Sequence, residues 1–352
     1  MSIEKRKFGT TKDGKDVTEY TMTNKNGMKL SVIDFGGIIT SIITPDKDGN
    51  MDDVVLGYDK LEPYFENPEF FGATVGRNAN RIDKATFKID GVEYKVPVNE
   101  NDNNLHTDFE KGFHVQFWNS SADEADNSVS MEYSSPDGES GFPGKLDMKV
   151  TFTLTDENEV KIHYEGTTDK KTIANCTNHS YFNLAGLKSG PKKIEDEYIK
   201  IYASRYTPVV EGAIPTGELA DVKGTVFDLT DFKRIGDDID KDLEQLKLVQ
   251  GYDHNFALDT PGDNNLAAEV EDRESGRTLK VYTDLPGLQF YAGNCIPEGR
   301  VGKGGQVYGK RVALCLESQY FPNSVNEPNF ASPLLDVNEK YDTTTVYKFG
   351  VK

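Results

Sequence analysis

The chain has 352 residues, of which 59 are acidic and 40 are basic, so its formal net charge at pH 7 is −19. A surface with this charge repels phosphate backbones and anionic lipid headgroups, which excludes nucleic acid and membranes as expected partners. The length suits either two ordinary domains or one large all-β domain.

Apolar and polar residues alternate with a period of two in many places, which predicts half-buried strands. In chain order these strands span residues 17–23, 28–33, 86–89, 92–96, 149–154 and 159–164. Asn-Gly and Asp-Gly pairs, which tolerate the positive φ of tight hairpins, occupy positions 26–27, 48–49, 90–91 and 137–138. A helix is predicted over residues 239–248, where leucines recur at helical spacing. We therefore predict an all-β fold, a large antiparallel β-sandwich with only short helices, forming a single domain over residues 1–352.

The cysteines and the start of the chain indicate a cytoplasmic location. Cys176, Cys295 and Cys315 are odd in number and have no CxxC spacing, so they are expected to be reduced thiols. The first residues are charged and no apolar stretch follows them, so no secretory signal is expected. No run approaches the roughly 18 apolar residues of a membrane-spanning helix.

His179 lies in the segment NHSYFNL (178–184), where amide, hydroxyl and aromatic side chains surround the imidazole. Such a mixture suits a carbohydrate, because sugar hydroxyls need polar partners and the apolar face of the ring packs on an aromatic side chain. A buried histidine with a structural role at the end of a strand explains the same local sequence equally well.

Glu317 follows the apolar segment VALCL (312–316), so its carboxylate emerges from a buried strand, where a charge is costly without a partner. Taken alone, this residue is better explained by a structural salt bridge. Held on opposite sides of a small molecule, however, a histidine and a glutamate can remove one proton while donating another. Those two proton transfers are sufficient to open and close a sugar ring.

The histidine spacing matches no zinc motif, and no cysteine cluster supplies thiolate ligands. His163 lies in an alternating strand between charged neighbours, so we expect it to have an ordinary surface role. No metal is therefore expected. The histidines are His106, His114, His163, His179 and His254.

Seven segments, in one order along nearly the whole chain, resemble those of the aldose 1-epimerase (galactose mutarotase) family. Several segments in one order are far more specific than any single motif. They are FGATVGRNANRI (71–82), NNLH (103–106), KGFH (111–114), NHSYFNLAG (178–186), GYDHNF (251–256), LQFYAGN (288–294) and LCLESQYFPNSVN (314–326).

The resemblance implies an enzyme that interconverts the α and β anomers of free aldohexoses such as galactose and glucose. It implies that Glu317 is the general base and His179 the general acid. It also implies a galactose mutarotase-like supersandwich with the sugar in an open cleft and a monosaccharide as the partner molecule. Because interconversion of anomers oxidises nothing and transfers no group, no cofactor is expected. The expected oligomeric state is a monomer or homodimer. The residues implied to hold the sugar hydroxyls are Asn80, Arg81, His106, Asp253 and Gln289.

One position departs from the family pattern. The family usually reads LHGG after the asparagines, whereas here Thr107 and Asp108 follow His106. Two glycines allow a close backbone approach and any φ, so Thr-Asp is expected to restrict the loop and to add a charge. The shape of this loop and the sugar preference are the properties that this change puts in question.

Three other functions are compatible with parts of the sequence. An epimerase of hexose 6-phosphates would need a basic cluster, for which Arg77 and Arg81 are candidates. A non-catalytic sugar-binding module would be expected to lose the acid or the base, yet both are present. A polysaccharide hydrolase or lyase would call for a second catalytic carboxylate, for which Asp253 is available.

Overall fold

The computed structural model describes residues 2–262 and 264–352, and it is built from antiparallel β-sheets. The largest sheet has nine strands, and its spatial order mixes strands from the middle and the end of the chain. In that order they are Asn119–Asp123, Ser128–Ser135, Leu146–Leu154, Glu159–Thr168, Tyr341–Val351, Arg277–Thr283, Asn265–Glu271, Tyr198–Ile201 and Lys233–Arg234.

Two five-stranded sheets accompany it. The N-terminal sheet is a meander of consecutive strands, Ser2–Thr10, Asp16–Thr23, Lys29–Ile33, Ile38–Pro45 and Met51–Asp53. The second, which we call the central sheet, has the order Ala220–Asp221, Arg205–Tyr206, Asp253–Ala257, Gly287–Tyr291 and Cys315–Gln319.

Short strand pairs and single helical turns connect these sheets. The pairs are Arg81–Ile82 with Asn104–Leu105, Ala73–Val75 with Thr177–His179, Thr86–Ile89 with Val92–Lys95, Thr172–Ile173 with Leu334–Leu335, and Arg300–Val301 with Val307–Tyr308. The 3₁₀ turns are Glu62–Phe65, Asp83–Ala85, Phe113–Val115, Glu139–Gly141, Ile194–Asp196, Ile235–Asp237, Lys303–Gly305 and Ser324–Asn326, and Glu244–Leu248 is α-helical.

The predicted strands and the all-β class are confirmed, with ends that shift by no more than four residues. The hairpin at Asp90 and Gly91 follows the rule for two-residue turns, because their φ values of 51° and 82° are both positive. Ile89 pairs directly with Val92 across this turn.

The helix predicted over residues 239–248 is wrong in its first half, since only Glu244–Leu248 is α-helical. Leu243 has extended angles, φ −127° and ψ 134°. The two carboxylate oxygens of Asp240 instead accept hydrogen bonds from Arg311 at 2.7 and 2.8 Å. This tertiary contact competes with the weak helical preference of a short segment.

The main hydrophobic cluster takes side chains from all three large sheets, for example Val32, Phe152 and Phe290, and this packing makes the sandwich. The prediction of a single domain stays a prediction. Within the described ranges, no helix has the length and apolar character needed to cross a membrane.

The alternation of side chains along the central sheet decides which residues face away from the core. Leu288, Phe290 and Leu316 belong to the main hydrophobic cluster. Successive residues of a strand point to opposite faces, so Gln289 and Glu317, which are register partners, point to the other side. Polar side chains on that face form the floor of the cleft described next.

Candidate active site

A cleft of about 160 Å³ opens above the central sheet. It brings together residues that lie as far apart in the chain as positions 80 and 317. The predicted site residues that line it are Asn80, Arg81, His106, His179, Asp253 and Glu317.

Gln289 lies behind this lining rather than in it. Its Nε2 donates a hydrogen bond of 2.7 Å to Oδ1 of Asp253, and its Oε1 accepts one of 3.3 Å from Gln319. Gln289 therefore holds Asp253 in place from below. Its direct contact with a sugar hydroxyl stays a prediction.

His179 and Glu317 meet at one end of the cleft. The His179 Nε2 atom lies 3.6 Å from the Glu317 Oε2 atom, and the two residues are only 5% and 2% exposed. His179 ends the short strand Thr177–His179, and Glu317 lies in the middle of Cys315–Gln319. Oε2 of Glu317 has no hydrogen-bond partner among the described residues, so this carboxylate is not a satisfied structural salt bridge.

Burial perturbs the acid–base properties of both groups in opposite directions. Desolvation lowers the pKa of His179 to about 4, and it raises the pKa of Glu317 well above the usual range, an effect that the charge of Asp253 increases. A carboxylate with a raised pKa is a stronger base, and an imidazolium with a lowered pKa is a stronger acid. The pair is thus suited to exchange protons with a bound molecule.

Aromatic rings form one wall of the cleft. The ring of Tyr181 stacks on the His179 ring with centroids 5.0 Å apart. The ring of Phe70 also stacks on His179, with centroids 5.9 Å apart. The rings of Phe70 and His106 also lie against each other, with centroids 4.7 Å apart. Sequence reasoning noted the ring of Tyr181 but missed Phe70, although Phe70 directly precedes the FGATVGRNANRI segment.

His106 presents a hydrogen-bond donor to the cleft. Its Nδ1 accepts a hydrogen bond of 3.1 Å from the backbone N–H of Asn80, so in the neutral ring the proton must be on Nε2. Burial keeps the ring neutral, because desolvation lowers the pKa of His106 well below its usual value, and the neighbouring His179 adds to this effect. The ring centroids of the two histidines are 5.2 Å apart.

Ligand atoms of His106, His179 and Glu317 lie within 4.8 Å of one another, a spacing that a metal ion could bridge. A histidine that binds a metal usually donates its other ring N–H to an acceptor. In His106 the other nitrogen faces the N–H of Asn80, which is itself a donor. This residue is therefore better suited to donate to a hydroxyl than to ligate a metal.

Arg81 is held by a carboxylate that the sequence did not reveal. Nε and Nη2 of Arg81 donate to the two oxygens of Glu100 at 2.6 and 2.7 Å. Burial by itself would lower the pKa of Arg81, but the hydrogen bonds that Arg81 donates to Glu100 and the charge of Asp253 outweigh this effect, so the pKa is raised and the guanidinium stays charged. Glu100 lies in none of the seven recognised segments, and no local pattern marks it.

Comparison with known proteins identifies the family to which this chain belongs. The family model described as aldose 1-epimerase matches residues 18–348. The chain belongs to the aldose 1-epimerase family. The predicted family, the all-β sandwich and the enzyme class of carbohydrate isomerases are thereby confirmed.

Individual relatives match over their full lengths. The chain is 41% identical to galactose mutarotase of Bos taurus, covering 100% of this chain and 99% of that one. It is 37% identical to aldose 1-epimerase of Escherichia coli K12, with 96% of both chains covered. The solved structure of a galactose 1-epimerase from Lactobacillus acidophilus NCFM superposes with a TM-score of 0.85 at 30% identity, covering 100% of this chain and 99% of that one.

The position that departs from the aldose 1-epimerase pattern keeps a glycine-like backbone. Thr107 has φ +71° and follows His106 at φ +52°. A β-branched residue is strained in this region, but the Thr107 hydroxyl accepts a hydrogen bond of 2.9 Å from the N–H of Asn78 and donates one of 3.1 Å to its carbonyl. Asp108 accepts from Ser140 at 2.8 Å and does not line the cleft.

We expect Thr107→Val to lower the free energy of unfolding by about 1–3 kcal/mol, because it leaves both backbone groups of Asn78 without their partner. The KM for the sugar should rise as well, since this contact joins the loop of His106 to the loop of Asn80. Urea unfolding and steady-state kinetics measure the two effects. Thr107→Ser, which keeps the hydroxyl, is the matched control and should stay near wild type. A valine variant with unchanged stability would contradict this account.

The remaining sequence predictions concern residues away from the cleft. Nε2 of His163 lies 2.8 Å from Oδ1 of Asp342 on the surface of the large sheet, which agrees with a surface role. All three cysteines are free thiols, of which Cys176 and Cys315 are buried and Cys295 is exposed at the cleft.

Proposed function

We propose that this protein interconverts the α and β anomers of free aldohexoses such as galactose and glucose, with Glu317 as general base and His179 as general acid. The observation that carries the proposal is the 3.6 Å approach of the His179 and Glu317 side chains inside one cleft. Together they hold one basic and one acidic site within reach of a single sugar ring.

The chemistry needs two proton transfers. The Glu317 carboxylate removes the proton of the C1 hydroxyl while His179 protonates the ring oxygen, and the C1–O5 bond breaks to give an open-chain aldehyde. Rotation about C1–C2 exposes the other face of the carbonyl. Ring closure reverses both transfers: His179 takes the proton from the C5 hydroxyl as its oxygen attacks C1, and Glu317 returns a proton to O1. Each transfer contributes typically about 10²–10⁴-fold.

Donors and acceptors around the pair suit sugar hydroxyls. His106 offers its Nε2–H, and Arg81 offers Nη1, which has no hydrogen-bond partner among the described residues. Asp253, fixed by Gln289, offers an acceptor. Asn80 completes the set of substrate-binding residues, and the aromatic ring of Phe70 supplies an apolar surface for the sugar. No step in this scheme oxidises or transfers a group, so we propose that no cofactor takes part.

The alternatives are less well supported. A hexose 6-phosphate epimerase would need a free basic cluster, but Arg81 is paired with Glu100. Arg77 is buried, and its guanidinium donates to Ser135, Pro143 and Pro136 rather than to the cleft. A non-catalytic module would not need an unpartnered carboxylate beside an imidazole.

Polarimetry with freshly dissolved α-galactose, α-glucose and maltose tests the proposal. The protein should accelerate the approach to the equilibrium rotation of free hexoses, and galactose 6-phosphate should have a much lower kcat/KM. Rotation that follows the spontaneous rate at all protein concentrations would overturn the proposed function. A preference for the phosphate would move the protein to the alternative class. Release of new reducing ends from a polysaccharide would instead indicate a hydrolase.

We also propose a cytoplasmic location and a monomer or homodimer without nucleic-acid partners. Three free thiols support a reducing compartment, and the net charge of −19 disfavours binding to phosphate backbones.

A further inference from the structure

The pairing of Arg81 with Glu100 sets the charge of the cleft. Both oxygens of the Glu100 carboxylate are used, and both accept from the same edge of the guanidinium, at 2.6 and 2.7 Å. The side chains are 12% and 27% exposed, so the pair is partly shielded from water. A two-pronged contact of this kind is the way in which arginine binds a phosphate or a carboxylate group of a ligand.

The position of Glu100 is fixed by a turn. Its N–H donates to the carbonyl of Asn103 at 3.2 Å, and the N–H of Asn103 donates back to the carbonyl of Glu100 at 2.9 Å. Asn101, inside this turn, has φ +52°. The side-chain oxygen of Asn103 also accepts from the N–H of Lys84 at 2.9 Å, which ties the turn to the strand pair that carries Arg81. The carboxylate is thus held at the guanidinium by the backbone of its own turn.

The rest of the lining adds no free cation. Four carboxylates line the cleft, and Arg81 is its only arginine or lysine among the described residues. Burial lowers the pKa values of the two imidazoles that line the cleft, so neither adds a permanent positive charge. The carboxylates are Glu69, Glu100, Asp253 and Glu317. An anionic sugar would therefore have to displace Glu100 or lie beside carboxyl groups without a cation of the lining to pair with it.

We propose that Glu100 is a specificity-determining residue, which admits neutral sugars and rejects sugars that carry a phosphate or carboxylate group. Its carboxylate occupies Nε and Nη2 of Arg81, which could otherwise bind an anion, while Nη1 remains available to a neutral hydroxyl. This inference rests on the proposed function, since it assigns substrate charge to the same cleft.

Glu100→Gln tests it, because the amide keeps the shape and an acceptor for Arg81 but removes the charge. Kd values are measured by calorimetry for galactose, galactose 6-phosphate and galacturonate, together with kcat/KM by polarimetry. We expect the affinity for at least one anionic sugar, relative to galactose, to rise about tenfold, since removing one charge within a few ångströms of an anion is worth this much even when partly screened. Glu110→Gln is the matched control, because it removes an exposed charge on the other side of the strand Asn104–Leu105, at a residue that does not line the cleft.

The outcomes separate this inference from the proposed function. A relative gain for an anionic sugar in Glu100→Gln that Glu110→Gln does not share supports the inference. An unchanged ratio of affinities overturns it. A loss of galactose affinity as large as any gain in affinity for an anionic sugar also overturns it, because Glu100 would then only position Arg81. If no form of the protein accelerates mutarotation but the calorimetric selectivity shifts, the proposed function fails and the role of Glu100 stands.

Discussion

Replacing Glu317 with glutamine lowers the kcat of mutarotation by at least about 10²-fold and changes sugar affinity little. The amide has the size of the carboxylate and still forms hydrogen bonds, but it cannot take a proton from the C1 hydroxyl. The buried site also loses a charge that has no hydrogen-bond partner on Oε2 among the described residues, so folding should not suffer. Polarimetric kcat and KM, with unfolding curves for both proteins, measure the effect.

Asp253→Asn is the matched control for this variant. Asp253 is the other carboxylate whose charge acts on Glu317, and it is fixed by Gln289 at 2.7 Å. As a binding residue it should mainly raise KM, with some loss of kcat where substrate orientation suffers. If Glu317→Gln kept a near-normal kcat and Asp253→Asn lost it, the two roles would have to be exchanged.

His179→Asn should lower kcat by a similar factor, about 10²-fold or more, because it removes the group that protonates the ring oxygen. Asparagine also occupies less of the stack between Tyr181 and Phe70, so a modest rise in KM is expected. His163→Asn is the control, since this histidine lies away from the cleft beside Asp342. An equal loss of kcat in both variants would point to a general effect on folding instead of acid catalysis.

The pH dependence of the wild-type kcat/KM belongs to the same experiment. Catalysis needs Glu317 ionised and His179 protonated, so the rate should fall on both sides of an optimum. Burial lowers the pKa of His179 to about 4 and raises that of Glu317 well above its usual range, so the required state is the minor one of the two singly protonated forms. The acidic limb should therefore follow the lowered value, and the alkaline limb should lie above the usual range of a carboxyl group. The two apparent values belong to the coupled pair, not to either residue alone. The residual activity of His179→Asn should lose the alkaline limb, and a retained alkaline limb would contradict the assignment of the acid.

The sequence predicted what depends on local pattern. Period-two alternation located strands such as Leu146–Leu154, because one face of each strand is buried and the other is not. Asp90 and Gly91 predicted a two-residue hairpin, because few residues adopt positive φ in succession. The resemblance of the recognised segments supplied the family, and with it the roles that we propose for His179 and Glu317.

Tertiary structure alone decided the features that join residues far apart in the chain. Neither Glu100 beside Arg81 nor Phe70 against His179 follows from alternation or spacing, since each contact exists only once the sheets have packed. The segment around Asp240 leaves its helix for the same reason, because Arg311, 71 residues away, binds its carboxylate. A single sequence records which groups are available, whereas distances, burial and the resulting pKa shifts arise only from packing.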